Sequence, residues 1–291
     1  MGKHAYLIMA HNEWDLLNKL LFAIDDARND IFLHIDRTVK FHKETLYKPK
    51  KSVLYFTKRL NVQWGGDSQI KSELVLLKEA YGTGTYDYYH LISGVDLPVK
   101  SQEAIHNFFE NNKGKNFIKI DKQATKGYAL NRIRYYYIFQ NLLGRKDGHL
   151  IGMLYRLNGL FLKCQSKLHI DRLKRCPKRI YKGANWFSIT EDLVKIVLRE
   201  EKFIKKYCYH SLCADEIFIQ TIAMNSELKE TVTDDYLRCI DWSRGNPYVW
   251  REEDVKYLLL QEKDLFARKF SYELDSNVVD KIIDCITRSG I

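Results

Sequence analysis

The chain has 291 residues, is 45% hydrophobic and 29% charged, and carries a formal net charge of +10. This composition is ordinary for a soluble globular protein, and the length suffices for one large domain or two small ones. No apolar run approaches the roughly 20 residues of a membrane span, and no signal peptide follows Met1. The positive charge favours an anionic partner, such as nucleic acid, a membrane surface or a phosphate-bearing substrate.

The cysteines show neither a CxxC pair nor the spacing of a zinc site. They lie at positions 164, 176, 208, 213, 239 and 285. In a chain of this length they do not read as a disulfide framework. We therefore expect a protein of the reducing cytoplasm.

The beginning of the chain alternates between strand-like and helix-like segments. Residues 5–10 form a short apolar run typical of a buried strand, and residues 13–27 have the spacing of an amphipathic helix. Strands over 31–35 and 53–56 follow. Strand, helix and strand at this spacing predict a βαβ unit and hence a parallel sheet. No GxGxxG follows the first strand, which argues against the usual dinucleotide-binding turn.

Polar residues follow three of the predicted strands. His11 ends the first strand, Asp36 ends the second, and Asp96 lies in the loop SGVDLP after a strand over 86–92. Ligands of open parallel sheets bind at the carboxyl ends of the strands. Asp36 is therefore a plausible ribose or base contact, whereas a histidine at the place of His11 is often simply structural.

The rest of the chain continues the same alternation, so we predict one α/β domain over 1–291. Its nucleotide-binding half would be about 1–115, and its acceptor and catalytic half about 116–291. The later predicted elements are helices beginning near 67 and 101, strands over 116–120 and 184–190, helices beginning at 191 and 215, a strand over 236–242, a helix over 252–262 and, after the run LFARKF over 265–270, a last helix.

Two segments between these elements remain open to two interpretations. Arg132 and Arg134 alternate with aromatic residues up to Tyr137, which is typical of a sugar or nucleic-acid surface or of an amphipathic strand. Residues 144–179 look irregular and are very basic. They form either a solvated surface loop or a surface that meets anionic lipid or a pyrophosphate-bearing acceptor.

Asp215 and Glu216 are the strongest candidates for chemistry. They begin the apolar segment IFIQTIAM, where carboxylates favour the start of a helix. The same position would let one carboxylate point at a ligand and act as a general base. Neighbouring helical residues point about 100° apart, so only one of the two would face the acceptor.

Cations near the carboxyl terminus are candidate phosphate ligands. Arg244 and Lys269 lie there, and either could equally be a solvated surface charge. The chain contains no Asp-x-Asp, the usual holder of a divalent ion in metal-dependent sugar transferases. A nucleotide leaving group would then need protein cations to stabilise its developing charge.

Seven segments in order resemble the core-2/I-branching β-1,6-N-acetylglucosaminyltransferase family, glycosyltransferase family 14, which also includes the peptide O-xylosyltransferases. They span about 5–270 and read YLIMAHNE, FLHIDR, VQWGGDSQIKSELVLLKEA, YDYYHLISGVDLPVKS, GANWFSITEDLV, ADEIFIQTI and RGNPYVWREEDVKYLLLQEKDLFARKF. The resemblance implies a GT-A-like, Rossmann-type mixed sheet, mainly parallel and flanked by helices. It also implies a UDP-sugar donor, with GlcNAc as the sugar, and inversion at the anomeric carbon without a metal ion or other cofactor.

The resemblance also implies roles for individual residues. Glu216 would be the general base, and His11 and Asp36 would contact uridine. The diphosphate would be held by Lys269 and Arg244, with Arg251 as a rival because the match at Arg244 needs a gap. Trp186 would lie beside the acceptor, and further candidates for contacts with the sugar or the acceptor are Asp96, Asp215, Arg132 and Arg134.

The chain departs from the animal members of that family. It lacks their membrane anchor and paired cysteines, and residues 116–182 align poorly. We therefore expect a bacterial-type cytoplasmic enzyme that builds a surface polysaccharide on a glycan or lipid-linked saccharide acceptor. The basic stretch 163–182 would contact the anionic inner face of the membrane peripherally. Two alternatives remain: a UDP-xylose-dependent transferase of the same fold, and a non-enzymatic basic module that binds nucleic acid. The transferase reading expects no nucleic-acid partner.

Overall fold

The structure is a computed structural model that describes residues 2–121, 128–144 and 148–288. In this part of the chain, ten strands form two sheets. The strands are β1 (His4–Ala10), β2 (Asn29–Ile35), β3 (Val53–Phe56), β4 (Tyr88–Ser93), β5 (Asp96–Pro98), β6 (Asn116–Ile120), β7 (Gly183–Thr190), β8 (Val232–Thr233), β9 (Arg238–Ile240) and β10 (Phe266–Arg268).

Helices pack around these sheets. Within the same described residues they are α1 (Trp14–Ala23), α2 (Asp67–Thr83), α3 (Gln102–Asn111), α4 (Tyr128–Arg134), α5 (Gln140–Leu143), α6 (His149–Lys167), α7 (Glu191–Arg199), α8 (Glu201–Phe203), α9 (Phe218–Met224), α10 (Val255–Leu259) and α11 (Ser276–Arg288). Short 3-10 turns include Arg172–Arg175, Ala214–Glu216 and Glu252–Asp254.

The large sheet has the strand order β3-β2-β1-β4-β7-β6-β8. The first four of these strands are parallel, β7 runs antiparallel to both β4 and β6, and β8 is parallel to β6. The prediction of a mixed, mainly parallel sheet flanked by helices is confirmed. The sheet draws strands from both predicted halves of the chain, and the division near residue 115 stays a prediction.

The central strands are apolar on both faces because helices cover both sides of the sheet. Tyr6 and Ile8 of β1 pack into one hydrophobic cluster, which includes residues of α1 and α11. Ala5 and Leu7 pack into the other, which includes residues of α2, α7 and α9. Side chains alternate between the faces of a strand, so a doubly covered strand needs a continuous apolar run. The run AYLIMA meets that need.

The small sheet attaches the end of the chain to the middle of the large sheet. Its order is β5-β10-β9, with β10 antiparallel to β5 and parallel to β9. Arg268 of β10 lies opposite Asp96 of β5, which follows β4 after only two residues. This pairing brings the segment FARKF to the edge of the large sheet where β4 ends.

The structure corrects the interpretation of the two open segments. Arg132 and Arg134 lie on α4 rather than on a strand, and the carbonyl of Arg132 accepts a hydrogen bond from the backbone N–H of Leu212. A window of six residues is too short to separate a period of 2 from one of 3.6. Most of 144–179 is also ordered, because it contains the 19-residue helix α6 and the turn Arg172–Arg175. Among the helices of the described residues, none combines the length and the hydropathy that a membrane span requires.

Candidate active site

The carboxyl ends of β1, β2 and β4 meet at one edge of the large sheet. The parallel register pairs Ala10 with Ile35 and Met9 with Ser93, so the loops after these strands begin side by side. β7 runs the other way, and its early residues therefore reach the same edge. His11, Asp36, Asp96 and Trp186 are brought to this edge by strand direction alone.

His11 is exposed and lies within electrostatic range of Asp36 and Arg268. Partial burial of the ring lowers the pKa of His11, Asp36 works against that decrease, and Arg268 adds to it. The imidazole is therefore biased towards its neutral form, which can both donate and accept a hydrogen bond. This is a suitable group to lie against a base or a ribose, and the uridine contact of His11 stays a prediction.

Asp36 is buried and already bonded. One oxygen accepts hydrogen bonds from the backbone N–H (2.7 Å) and the hydroxyl (2.6 Å) of Thr38, and the other accepts from the N–H of Val62 (2.9 Å). Burial alone would raise the pKa of Asp36, but these hydrogen bonds outweigh it and hold the pKa below its usual range. Asp36 thus ties the loop after β2 to the segment after β3. Its predicted role at uridine would have to use the remaining lone pairs.

Asp96 is also turned into the protein. Its carboxylate accepts hydrogen bonds from the backbone N–H and hydroxyl of Ser93, at 2.8 and 2.7 Å, and from Arg268 Nη1 at 2.7 Å. The guanidinium of Arg268 in turn lies 4.5 Å from the ring centre of the half-buried Trp186. The observed role of Asp96 is therefore to hold Arg268 against Trp186, and its role as a sugar contact stays a prediction.

Arg268 is the residue at this edge that the sequence reasoning missed. FARKF contains two adjacent cations, and only Lys269 matched the family pattern closely. The available signal was only the pair of adjacent cations, since Arg268 is the last residue of β10 and Lys269 lies just beyond it. In the structure Arg268 binds Asp96, whereas Lys269 does not.

Lys269 and Arg251 have uncommitted cationic groups, whereas Arg244 does not. Within the described residues, neither the ammonium of Lys269 nor the guanidinium of Arg251 has a recorded hydrogen bond or ion pair. Arg244 instead bonds Asp241 at 2.5 Å and Asp254 at 2.9 Å, and it stacks 3.9 Å from the ring centre of Tyr248. The backbone of Lys269 pairs with Tyr248 and Trp250, so all three cations belong to one corner of the fold.

Glu216 lies on a different element. It is the last residue of the 3-10 turn Ala214–Glu216, and Ile217 separates it from α9, so it is not part of the apolar helix itself. The turn packs on β7, the strand that carries Trp186. The carboxylate oxygen Oε2 lies 2.7 Å from Arg132 Nη1 and 3.2 Å from Lys182 Nζ. Two cations, rather than a long helix dipole, therefore stabilise the negative charge.

Asp215 points away from solvent. It is 5% exposed, whereas the Glu216 side chain is 33% exposed. Gln69 Nε2 donates a 3.2 Å hydrogen bond to Asp215 Oδ2. Burial, and after it the charge of Glu216, raises the pKa of Asp215 to about 7. The fully buried Glu73 feels the charge of Asp215, and burial raises its pKa well above the usual range. The buried carboxyl group of Asp215 thus lies next in the chain to the partly exposed carboxylate of Glu216.

Arg134 is engaged away from this site. It lies 3.3 Å from Asp171 and donates a 3.1 Å hydrogen bond to Asn131. Arg172, one residue beyond Asp171, donates hydrogen bonds to the carbonyls of residues 135, 206, 209 and 210 and to the hydroxyl of Ser211. This region therefore fastens α4 to the turn before Glu216, and the acceptor contact of Arg134 stays a prediction.

A cavity of about 350 Å³ lies beside His11, lined by Asn12, Glu13, Trp14, Asp15, Tyr272 and Glu273. Its carboxylates make it a poor site for a diphosphate, although it lies between the loop after β1 and the segment after Lys269. In the residues that the structure describes, no group of three or more His, Cys, Asp or Glu side chains could hold a metal ion together.

Comparison with known proteins relates the chain to a family. The family model for "Core-2/I-Branching enzyme" matches residues 4–264. Xylosyltransferase 2 of Rattus norvegicus is 24% identical over 309 residues, which cover 95% of this chain and 33% of that protein. The xylosyltransferase of Ciona intestinalis is 22% identical over 308 residues, with 95% and 33% covered. The chain thus spans about a third of the length of the curated relatives it matches.

Among solved structures, the apo form of mouse xyloside xylosyltransferase 1 resembles the fold at a TM-score of 0.39. It is 11% identical in sequence, and the match covers 92% of this chain and 97% of that one.

Proposed function

The chain belongs to the Core-2/I-branching enzyme family, and on that premise we propose that it transfers a sugar from a UDP-sugar to a hydroxyl group of a glycan. The transfer is a single displacement with inversion at the anomeric carbon. The acceptor oxygen attacks while the diphosphate departs from the opposite side. Such a reaction needs a base for the hydroxyl proton and positive charge for the leaving group.

The observation that carries this proposal is the opposite orientation of the two neighbouring carboxyl groups. Glu216 is one-third exposed beside the strand of Trp186, whereas Asp215 is buried against Gln69. Glu216 is therefore the one that an acceptor hydroxyl can reach. Both of its recorded ion pairs go to Oε2, which leaves Oε1 as the oxygen that accepts the proton.

The donor is assigned to the edge where β1, β2 and β4 end. His11 and Asp36 lie at the uridine, and Lys269 holds the diphosphate. Arg251 is the better second phosphate ligand, because a phosphate at Arg244 would compete with Asp241 and Asp254 for the guanidinium. Planar guanidinium groups bind phosphate through two parallel hydrogen bonds. Trp186, kept in place by Arg268, forms part of the wall beside the transferred sugar.

Cations rather than a divalent ion stabilise the leaving diphosphate in this proposal. The chain has no Asp-x-Asp, and Lys269 and Arg251 supply fixed positive charge at the corner beside the donor edge. Fixed charges in a partly enclosed site stabilise a transition state without reorganisation of solvent.

GlcNAc is the donor sugar that the family resemblance implies, on a saccharide acceptor of a surface polysaccharide. UDP-xylose is the second candidate, and a specific observation favours it, because the relatives described above are xylosyltransferases. A panel of UDP-GlcNAc, UDP-xylose and UDP-glucose, assayed by UDP release in excess EDTA, separates the two.

Release of UDP from one of these donors, dependent on a saccharide acceptor and unaffected by EDTA, would support the proposal. Loss of activity in EDTA and its return with manganese would contradict metal independence. Salt-dependent binding of DNA or RNA without turnover of any UDP-sugar would instead favour the nucleic-acid alternative.

A further inference from the structure

On the helix α6, large apolar side chains lie on the outward face as well as on the face towards the protein, where Leu154 and Phe161 are half-buried. Its buried residues are Asn158 and Gln165, and the amide of Gln165 bonds both the N–H and the carbonyl of Tyr136, at 2.8 and 2.9 Å. Large apolar side chains face outward, namely Leu150 (74% exposed), Met153 (53%), Leu157 (43%) and Leu160 (57%), with Leu168 (72%) directly after the helix.

These outward residues form one continuous stripe. At 100° per residue, the four apolar residues of the helix and the exposed Cys164 fall within an arc of about 80°. We call Leu150, Met153, Leu157 and Leu160 the apolar stripe. Isolated exposed apolar residues need no explanation, but a contiguous row of them marks a surface that is covered by something else.

Positive charge borders the apolar stripe. The helix has no acidic residue, and Lys163 and Lys167 project next to the stripe on one side, as does Arg156. In the described part of the chain, none of these three side chains has a recorded ion pair. Residues 149–182 contain nine Lys and Arg against one Asp, a net charge of +8. The surface that covers the stripe must therefore be apolar within and anionic at its rim.

We propose that α6 lies in the interface of an anionic lipid bilayer, with the apolar stripe among the acyl chains and the neighbouring cations at the lipid phosphates. An apolar face bordered by Lys and Arg is the pattern of helices that lie in, rather than cross, a membrane. At 19 residues the helix is about 28 Å long, and it fails the requirements for a span.

A second copy of this chain is a poorer occupant. A symmetric contact through α6 would place Arg156, Lys163 and Lys167 of one copy near the same cations of the other, and like charges across an interface are repulsive. Anionic lipid turns the same charge into an attraction for each nearby cation. The surface proposed here is independent of the transfer reaction, since lipid binding can be measured without donor or acceptor.

Co-sedimentation with vesicles tests the apolar stripe. The full chain should bind vesicles of phosphatidylcholine mixed with phosphatidylglycerol, and the triple variant Leu150→Gln, Leu157→Gln, Leu160→Gln should lose about tenfold or more in partitioning. The matched control is Leu260→Gln with Leu274→Gln, two equally exposed leucines elsewhere, which should bind like the parent. All these side chains are exposed, so the melting temperatures should stay close together.

The cations are tested in the same assay. Changing Arg156, Lys163 and Lys167 to Gln should weaken binding to the anionic vesicles several-fold and leave binding to pure phosphatidylcholine unchanged. Added salt should act in the same direction.

Fluorescent labels on the two exposed cysteines test at single positions whether α6 contacts the lipid. An environment-sensitive fluorophore on Cys164, in a variant with Cys176→Ser and Cys285→Ser, should shift to shorter wavelength on anionic vesicles. The same label on Cys285 of α11, with Cys164→Ser and Cys176→Ser, should not shift.

The proposal is overturned if the triple variant partitions like the parent, or if the label on Cys164 reports water in the presence of vesicles. It is also overturned if sedimentation without lipid shows a dimer that the triple variant abolishes while vesicle binding is unchanged.

Discussion

Arg132 Nη1 lies 2.7 Å from Oε2 of Glu216, and this ion pair joins α4 to the turn that carries the proposed base. The pair crosses 84 residues of sequence. Lys182, directly before β7, approaches the same oxygen at 3.2 Å. Glu216 is therefore oriented by cations from two different parts of the fold.

Removing Arg132 should impair the chemical step more than donor binding. In Arg132→Gln the carboxylate loses its closest partner and samples more orientations, so we expect kcat to fall about tenfold with little change in UDP affinity. Steady-state kinetics and calorimetry with UDP give the two values. Arg134→Gln is the matched control, because Arg134 pairs with Asp171 instead. Equal losses in both variants would mean that α4 acts only through general stability.

Alanine substitutions of the three cations at the carboxyl-terminal corner should differ in their effects on activity and stability. Lys269→Ala and Arg251→Ala should each lower kcat/KM by about 10²-fold or more, because charge on the diphosphate grows in the transition state. Arg244→Ala should mainly lower the melting temperature, since it leaves Asp241 and Asp254 without their shared partner. If Arg244→Ala abolished UDP binding at unchanged stability while Arg251→Ala were active, Arg244 would be the phosphate ligand.

Substitutions of His11 and Asp36 should distinguish a residue that only binds UDP from one that also stabilises the loop after β2. His11→Ala should weaken UDP binding by calorimetry with little effect on stability, because His11 is exposed. Asp36→Asn should weaken binding and also lower the melting temperature near neutral pH. The pKa of Asp36 is depressed in the folded state, so its contribution to stability is present above the unfolded pKa and is lost as the pH falls through the folded pKa.

The stability difference between parent and Asp36→Asn should therefore narrow in acid. Unchanged UDP affinity in both variants would remove uridine from this edge of the sheet.

The effect of Asp215 on folding stability should depend on pH in the opposite direction to that of Asp36. Its folded pKa is raised from 3.8 to about 7, so the ionised side chain disfavours the folded state as the pH rises from about 4 to 7. Asp215→Asn should gain stability relative to the parent across that window, by roughly 4 kcal/mol as an upper bound, and should match the parent near pH 4. Thermal melts at several pH values test this. A difference that is constant with pH would show that Asp215 keeps an ordinary pKa.

The order of the elements could be predicted from the sequence, because strong periodic signals survive without context. β3 and β6 have the predicted bounds, and a helix begins after Ser101 as predicted, with the Ser101 side chain accepting a hydrogen bond from the N–H of Ala104. The apolar runs of β1, β2 and β4 fixed the parallel core. These signals depend on residues that lie near one another in the chain.

The site could be predicted in part only, since its contacts are distant in sequence. Strand direction predicted that His11, Asp36 and Asp96 would share one edge. It could not predict that the carboxylates of Asp36 and Asp96 would turn inward to Val62 and Arg268, because such pairs arise only from tertiary packing.

The helix α6 was missed for a related reason. Its leucines are divided between an outward face and a half-buried face, so it lacks the single core-facing stripe that identifies a surface helix.

The most direct test of the proposed mechanism is the rate constant of Glu216→Gln beside that of Asp215→Asn, both measured with the donor that the panel identifies. Gln keeps the shape of the side chain and cannot accept the proton, so Glu216→Gln should bind UDP like the parent and lose about 10²-fold or more in kcat. Asp215→Asn should keep most of its activity, because Asp215 is buried against Gln69. Normal turnover by Glu216→Gln together with an inactive Asp215→Asn would contradict the account and assign the base to Asp215.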